Sequence, residues 1–271
     1  MKFKDILVHI DNSKQCAYRL QLAIKLAGEH EAHLTGAYII SHIPYAYQEE
    51  RMERDEGVTQ ALFGQMTGEA GIRADWLSVD WATVGVSVAD MLNYHAHTKD
   101  LVIVGQTDPG TPPDEHLPPD LPQRIIVGAG RPVLVVPYTE KFSSIGKRVI
   151  LAWKAGRVSA RAVNDALPFL LNAEEVIVVS IVTPGEQQKT EAGPYESICT
   201  NLERHAIKVR EVRIVMEHIP VANLLMNYAW ENACDMIVTG VYYRKTRWKY
   251  DLGPVANDFL QQMTLPILMS Y

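Results

Sequence analysis

The sequence predicts an α/β protein built from two tandem domains, each a parallel β-sheet covered by helices on both faces. Three observations predict it. The first is an internal repeat. Asp100-Leu-Val-Ile-Val-Gly105 is followed, 27 residues after the glycine, by Pro132-Val-Leu-Val-Val-Pro137. Asp235-Met-Ile-Val-Thr-Gly240 is followed, 26 residues after its glycine, by Pro266-Ile-Leu-Met-Ser-Tyr271. The second is that the starts repeat too, with Asp5-Ile-Leu-Val-His-Ile-Asp11 matching Arg148-Val-Ile-Leu-Ala-Trp-Lys154. A period of about 135 residues exceeds the roughly 20–50 of solenoid units and fits two copies of one domain. The third is the alternation of short apolar runs with segments of helical period. Right-handed crossovers then leave few topologies, and ligands are expected at the carboxyl ends of the strands.

The first half opens on a buried strand at residues 5–10. Residues 14–29 carry Cys16, Ala17, Leu20, Ala23, Ile24, Leu26 and Ala27 at helical spacing, with Ser13 as the expected cap. Strands are expected at 33–40, 73–80, 101–105 and 132–137, and helices at 48–70, 86–98 and 121–128. Between Asp108 and Pro122 six prolines forbid regular structure over much of the loop. Residues 139–146 form a short polar linker, so the domains are expected at 1–138 and 147–271. In the second half, strands are expected at 148–153, 175–182, 208–216, 236–240 and 266–270. Helices are expected at 159–172, 194–205, 220–233 and 254–263.

Bulk properties exclude several classes. A chain of 271 residues with 47% apolar and 21% charged residues has the composition of a soluble globular protein. A net charge of -6 argues against broad binding to nucleic acid or acidic membranes. No apolar run approaches the length of a membrane span, and the N-terminus enters a strand without an apolar signal core. Three scattered cysteines without a Cys-x-x-Cys pattern fit a reduced, cytoplasmic compartment. Cys16 is expected in the core, and Cys199 is the thiol expected to be exposed. Met226, Tyr228, Ala229 and Trp230 are expected to pack a helix. His95 and His97, two apart on a helix, point too far apart to share an ion, so no metal site is expected.

The motifs together resemble those of a tandem universal stress protein across essentially the whole chain. The matching residues are Ile6-Leu-Val-His-Ile-Asp11, Asp100-Leu-Val-Ile-Val-Gly105 and Gly130-Arg-Pro-Val-Leu-Val-Val-Pro137 in the first half. In the second they are Val149-Ile-Leu-Ala-Trp153, Ala160-Arg-Ala-Val-Asn-Asp-Ala-Leu-Pro168, Asp235-Met-Ile-Val-Thr-Gly240 and Met263-Thr-Leu-Pro-Ile-Leu-Met269. The resemblance implies Rossmann-like domains, each with a five-stranded sheet of order 3-2-1-4-5. It also implies pseudo-twofold pairing through strand five, here internal to the chain. That pairing would cover an apolar edge that otherwise invites aggregation. A further homodimer stays open.

The resemblance also implies ATP or another adenine nucleotide as the candidate cofactor. It is held in such proteins by an Asp after strand one and a glycine motif after strand four, Gly-x2-Gly-x9-Gly-Ser/Thr. Such glycines let backbone amides approach phosphate, and the last pair opens a helix. The first half keeps Asp11, Ser13 and Gly105 but has Asp108 at the second glycine position, and its loop is rebuilt with prolines. The second half keeps the spacing, with Gly240 and Gly253. Tyr243 stands at the middle glycine, Pro254 replaces the hydroxyl residue and Lys154 replaces the Asp. Arg244, Lys245 and Arg247 add charge there, making this half the better expected phosphate site. Candidate contacts are therefore Asp11, Ser13, Gly105, Lys154, Gly240, Arg244, Lys245, Arg247 and Gly253. No catalytic constellation is visible. The leading expectation is a non-catalytic stress-response binding or regulatory module with degenerate nucleotide sites and a small anionic or nucleotide ligand. The alternatives are an ATP-binding switch with slow hydrolysis using the Gly240–Gly253 loop, and a purely structural scaffold.

Overall fold

The computed structural model describes residues 1–41, 46–81, 87–110, 118–139, 141–142, 144–182, 197–216, 218–245 and 250–271. The chain divides into two compact units, Lys2–Ser143 and Ser144–Tyr271, with Met1 grouped with the second.

The first unit runs β1 (Asp5–Ile10), α1 (Cys16–His30), β2 (His33–Ser41), α2 (Ala46–Glu69), β3 (Ala74–Trp81), α3 (Val88–Ala96), β4 (Leu101–Gly105), α4 (Leu121–Gly128) and β5 (Val133–Val136). Its strands lie in the order β3-β2-β1-β4-β5, each pair parallel, which is the expected 3-2-1-4-5 arrangement. The central strand has Ile6 opposite Leu34 on one side and Leu101 on the other. Ile6, Leu7 and Val8 are fully buried, as a parallel strand covered on both faces requires. Gly36 in β2 lets the α2 helix seat closely, since a Cβ there would lie 2.6 Å from the Phe63 ring. Helix α3 starts at a capping box in which Ser87 and Asp90 satisfy each other's backbone amides, which sets its start two residues after the expected one.

Ser13 does not cap α1. The helix begins later, behind Gln15, without a side-chain cap, and the Ser13 amide instead donates to Asp11 Oδ1 at 2.9 Å. Asp11 Oδ1 closes a local turn onto the Ser13 amide, and the helix starts beyond that turn.

The second unit runs β6 (Arg148–Ala152), α5 (Arg157–Leu170), β7 (Glu175–Val182), α6 (Ile198–Arg204), β8 (Val209–Val215), α7 (Val221–Glu231), β9 (Met236–Gly240), β10 (Tyr243–Lys245), β11 (Tyr250–Leu252), α8 (Pro254–Gln262) and β12 (Ile267–Ser270). Within this unit the parallel order is β12-β9-β6-β7-β8, the same arrangement read from the other end. The antiparallel hairpin of β10 and β11 is an element that strand periodicity did not reveal. Its strands are three residues each and lie where a phosphate loop was expected. The first residues of the expected helix at 194–205 fall outside the described residues.

The repeated aspartates that begin β4 and β9 do the same work in both units. Asp100 Oδ2 accepts from the amides of Lys4 and Asp5 at 2.7 and 3.1 Å. Asp235 accepts from the amides of Gly146, Lys147 and Arg148, each at 3.1 Å. Each carboxylate thus pins the entry of its unit's first strand beside its fourth, which explains why the repeat includes the charged residue as well as the apolar run.

Two expectations about individual side chains are corrected. Cys199 is buried on α6, and Cys234 is the partly exposed thiol. Trp230 does not pack its helix but stands 86% exposed, while the Tyr228 hydroxyl accepts from Arg210 at 3.1 Å. No helix among the described residues is long and apolar enough to cross a membrane.

Candidate functional site

The carboxyl ends of β1 and β4 diverge in the first unit, and a cavity of about 360 Å3 opens between them. Its floor is formed by His9, Asp11, Arg19 and Gly105, and its walls by Gln106, Thr107 and Asp108 after β4 and by a set of prolines. The place is the one where open parallel sheets hold ligands, because β1 sends its connection to one side and β4 to the other.

Arg19 organises the floor. It sits on α1 one turn from Cys16 and is only 3% exposed. Its Nη2 donates to Asp11 Oδ2 at 2.7 Å and its Nε to the His9 carbonyl at 2.9 Å. Asp11 completes its set by accepting from the Ser13 amide. A buried charge is tolerated when it is paired and hydrogen-bonded, and both members of this pair meet that condition. Burial pushes the Asp11 carboxyl upward, but Arg19 first, then His9 and Ser13, outweigh it and hold the group at about 2, below its ordinary 3.8. Burial lowers His9 from 6.5 to about 4, against the pull of Asp11 and with a further push from Arg19. The ring is therefore neutral at pH 7, with its Nδ1 3.7 Å from Asp11 Oδ2.

Gly105 is required by this pair. A Cβ there would stand 2.3 Å from Arg19 Nη1, so the glycine makes room for the guanidinium. Asp108, at the position of the second family glycine, accepts from the Gly110 amide at 2.8 Å through Oδ1 and from Gln15 Nε2 at 3.2 Å through Oδ2. Pro119 and Asp120 also fall near the expected end of the motif. The Pro119 carbonyl accepts from Thr107 Oγ1 at 2.9 Å, and Asp120 pairs with Arg124 at 2.8 Å at the start of α4. Asp11, Ser13 and Gly105 are thus brought to one cavity, as expected. Arg19, His9, Gln106 and Thr107 join them without having been anticipated. The signal for Arg19 was present: positions 16, 19, 20 and 23 form one face of a helix, and only the charge disguised it.

The second unit places its candidates differently. Gly240 ends β9 with its α-carbon against α5, where a Cβ would lie 2.5 Å from the backbone of Val158. Here the glycine lets a helix approach a strand. Gly253 has an ordinary φ of −59° and its amide donates to the Tyr242 carbonyl at 2.7 Å, closing the β10–β11 hairpin. That amide is thereby committed to the protein's own backbone. The Tyr243 ring meets Tyr271 edge to face at 5.8 Å, and the Arg157 guanidinium stands over Tyr271. Lys154 is exposed beyond β6. Arg244 and Lys245 stand on β10, and Arg247 lies outside the described residues. Among the described residues no group of three or more His, Cys, Asp or Glu could hold a metal ion.

Comparison with known proteins agrees with this architecture. A family model described as the universal stress protein family matches residues 2–137. A universal stress protein from Archaeoglobus fulgidus DSM 4304 superimposes with a TM-score of 0.74 at 13% identity, covering 98% of this chain and 97% of that one. A putative universal stress protein from Pseudomonas aeruginosa UCBPP-PA14 gives 0.59 at 16% identity, over 99% of this chain and 93% of that one. The universal stress protein from Archaeoglobus fulgidus in complex with dAMP gives 0.38 at 16% identity, covering 50% of this chain and 98% of that one. No curated protein matches. The first two superpositions, at these identities, speak for the fold, and the family match over half the chain speaks for descent. With the same five-stranded order built twice, the chain belongs to the universal stress protein family, as a tandem member.

Proposed function

We propose that this protein is a non-catalytic binding and regulatory module of the cytoplasmic stress response, and that its ligand site is the strand-end cavity of the first unit. The observation that carries this reading is the cavity itself, about 360 Å3 at the switch point of the sheet, walled by the protein's own hydrogen-bonded side chains. That volume lies at the lower end of the roughly 300–1,000 Å3 of small-molecule sites. An adenine nucleoside or nucleotide is the ligand class that family membership favours.

The same geometry supports a binding role over a catalytic one. Asp11 is committed to Arg19 and to the Ser13 amide, so it is a poor base. His9 is 2% exposed and held neutral beneath the pair. Burial raises the Cys16 thiol, which weakens it as a nucleophile. The alternative of a nucleotide switch in the Gly240–Gly253 loop is less well supported, because both glycines serve backbone packing and hairpin closure.

The test is to purify the full chain, denature it and identify any released small molecule by mass spectrometry. Adenosine and ATP are then titrated by calorimetry while the amides of Ser13, Gly105 and Thr107 are followed by NMR. Saturable binding with shifts at those amides supports the reading. If no adenine compound is released and none binds at millimolar concentration, the reading is wrong. Shifts confined to Gly240 and Gly253 would reinstate the second-unit switch.

A further inference from the structure

We propose that the first unit's cavity selects a compact ligand that donates hydrogen bonds and carries no negative charge, and that it discriminates against phosphate. This rests on the reading of the cavity as a binding site and assigns the chemistry of what enters it.

Three independent features point the same way. The first concerns donors. An anion site needs donors aimed at the ligand, usually backbone amides in a nest or at a helix start. Here the wall that should supply them contains Pro109, Pro118, Pro119, Pro122 and Pro137. Proline has no amide hydrogen, so none of these positions supplies a backbone donor, and Pro118 and Pro119 fall near the end of the glycine motif. Helix α4 has the same defect, since Pro122 is its second residue.

The second feature is that four of the lining side chains, Arg19, Thr107, Gln15 and Asn12, already use donors within the protein. Arg19 gives Nη2 to Asp11 and Nε to the His9 carbonyl. The Thr107 hydroxyl goes to the Pro119 carbonyl, Gln15 Nε2 to Asp108, and Asn12 Nδ2 to the Tyr38 hydroxyl at 2.9 Å. Redirecting the Thr107 hydroxyl or the Arg19 Nε–H to a phosphate would break a bond the protein already has.

The third feature is charge. Arg19 is the cation among the described lining residues, and Asp11 neutralises it at 2.7 Å. Asp108 adds a carboxylate on the wall, so the described lining carries a net negative charge. A phosphate, which accepts but does not donate and is itself negative, meets this wall on both counts unfavourably. An amine, amide or hydroxyl meets carboxylate and carbonyl oxygens that accept. The flat, apolar faces of the prolines suit a ring, so a nucleoside or a small organic cation of that size fits where a nucleotide does not.

The experiment titrates the full chain with adenosine, AMP and ATP at one ionic strength, by calorimetry, with the Gly105 and Thr107 amides followed by NMR. Affinity is expected to fall along that series, by about tenfold for one added charge roughly 10 Å from a wall carboxylate at an effective dielectric of about 20. The companion variant is Asp108→Asn, whose amide oxygen can still accept from the Gly110 amide. It should narrow the difference between adenosine and ATP by at least about tenfold while the thermal midpoint stays within a few degrees of the parent's. ATP binding as tightly as adenosine or tighter, with shifts at Gly105 and Thr107, overturns the proposal while leaving the cavity a binding site. An unchanged ratio in Asp108→Asn overturns the part assigned to that carboxylate. No binding by any of the three overturns the binding reading and this inference with it.

Discussion

Replacing Arg19 by methionine removes the charge beneath the cavity while keeping a side chain of similar reach, and the structure sets the size of the effect. In the parent, Asp11 is held at about 2 against an ordinary 3.8. That depression corresponds to about 2.5 kcal/mol of stability at pH 7, at about 1.4 kcal/mol per unit. For a carboxyl with a lowered pKa, this contribution is present above 3.8 and is lost as pH falls through 2. Removing Arg19 does more than cancel it. Burial, the largest influence on Asp11, is then opposed by His9 and Ser13 alone, the smaller of the opposing influences, and favours the neutral acid. The His9 carbonyl also loses its partner, worth about 1 kcal/mol. Breaking a buried pair from one side typically costs about 3–5 kcal/mol, so Arg19→Met should fall in that range at pH 7. At pH 4.5 the unpaired Asp11 can protonate, and the penalty should shrink by at least about 1 kcal/mol. Arg19→Met combined with Asp11→Asn should recover part of the loss, because no charge is then stranded. The assay is urea unfolding read from the NMR signals of Val8 and Ile103, which belong to this unit's central strands. A penalty under about 1 kcal/mol, or one equal at both pH values, would refute the account of the floor as a coupled ion pair.

Three further outcomes follow from other positions. His9, lowered to about 4, is neutral when folded and protonated when unfolded between pH 4 and its ordinary 6.5; its contribution is present above 6.5 and lost as pH falls to 4, about 3 kcal/mol in all, and thermal melts of His9→Gln should show a correspondingly shallower acid slope. Gly240→Ala should cost about 1–3 kcal/mol or more, because its Cβ would meet the Val158 backbone at 2.5 Å, whereas Gly253→Ala, with its nearest neighbour at 3.6 Å, should fall within about 0.5 kcal/mol of the parent in the same denaturant titration. Burial pushes Cys234 up to about 11, so its alkylation by iodoacetamide at pH 7.5 should run at least about tenfold slower in the folded chain than in urea.

The fold was legible because its signals are local and repeated. A strand such as Leu101–Gly105 is a short, continuous apolar run rich in β-branched residues, the pattern of a strand buried on both faces. The hairpin of β10 and β11 was not legible, since three-residue strands are too short to express an alternation and its closing bond joins two backbones, Gly253 to Tyr242. The aspartates at 100 and 235 were visible as part of the repeat, yet their role depends on the start of β1 and of β6, some 95 and 87 residues away in sequence. A carboxylate that caps across such a distance looks like any loop residue until the sheet brings the two ends together.

Glycine spacing alone could not specify the site. Glycine is kept for whatever approaches its α-carbon, and the sequence does not say what that is. At Gly240 the approaching group is the backbone of Val158, and at Gly105 it is the guanidinium of Arg19. Neither position therefore needs a phosphate to explain it. Arg19 in turn explains Asp11, since a carboxylate buried at the end of β1 requires a counter-charge whether or not a nucleoside ever binds. Once that pair occupies the floor, the ligand is left with the walls, and those are made of proline, Gln106, Thr107 and Asp108. The proline-rich loop and the internal ion pair thus act in the same direction: the loop lacks backbone donors at its prolines, and the pair turns the Arg19 charge inward to Asp11, so the described walls favour a ligand that donates over one that only accepts.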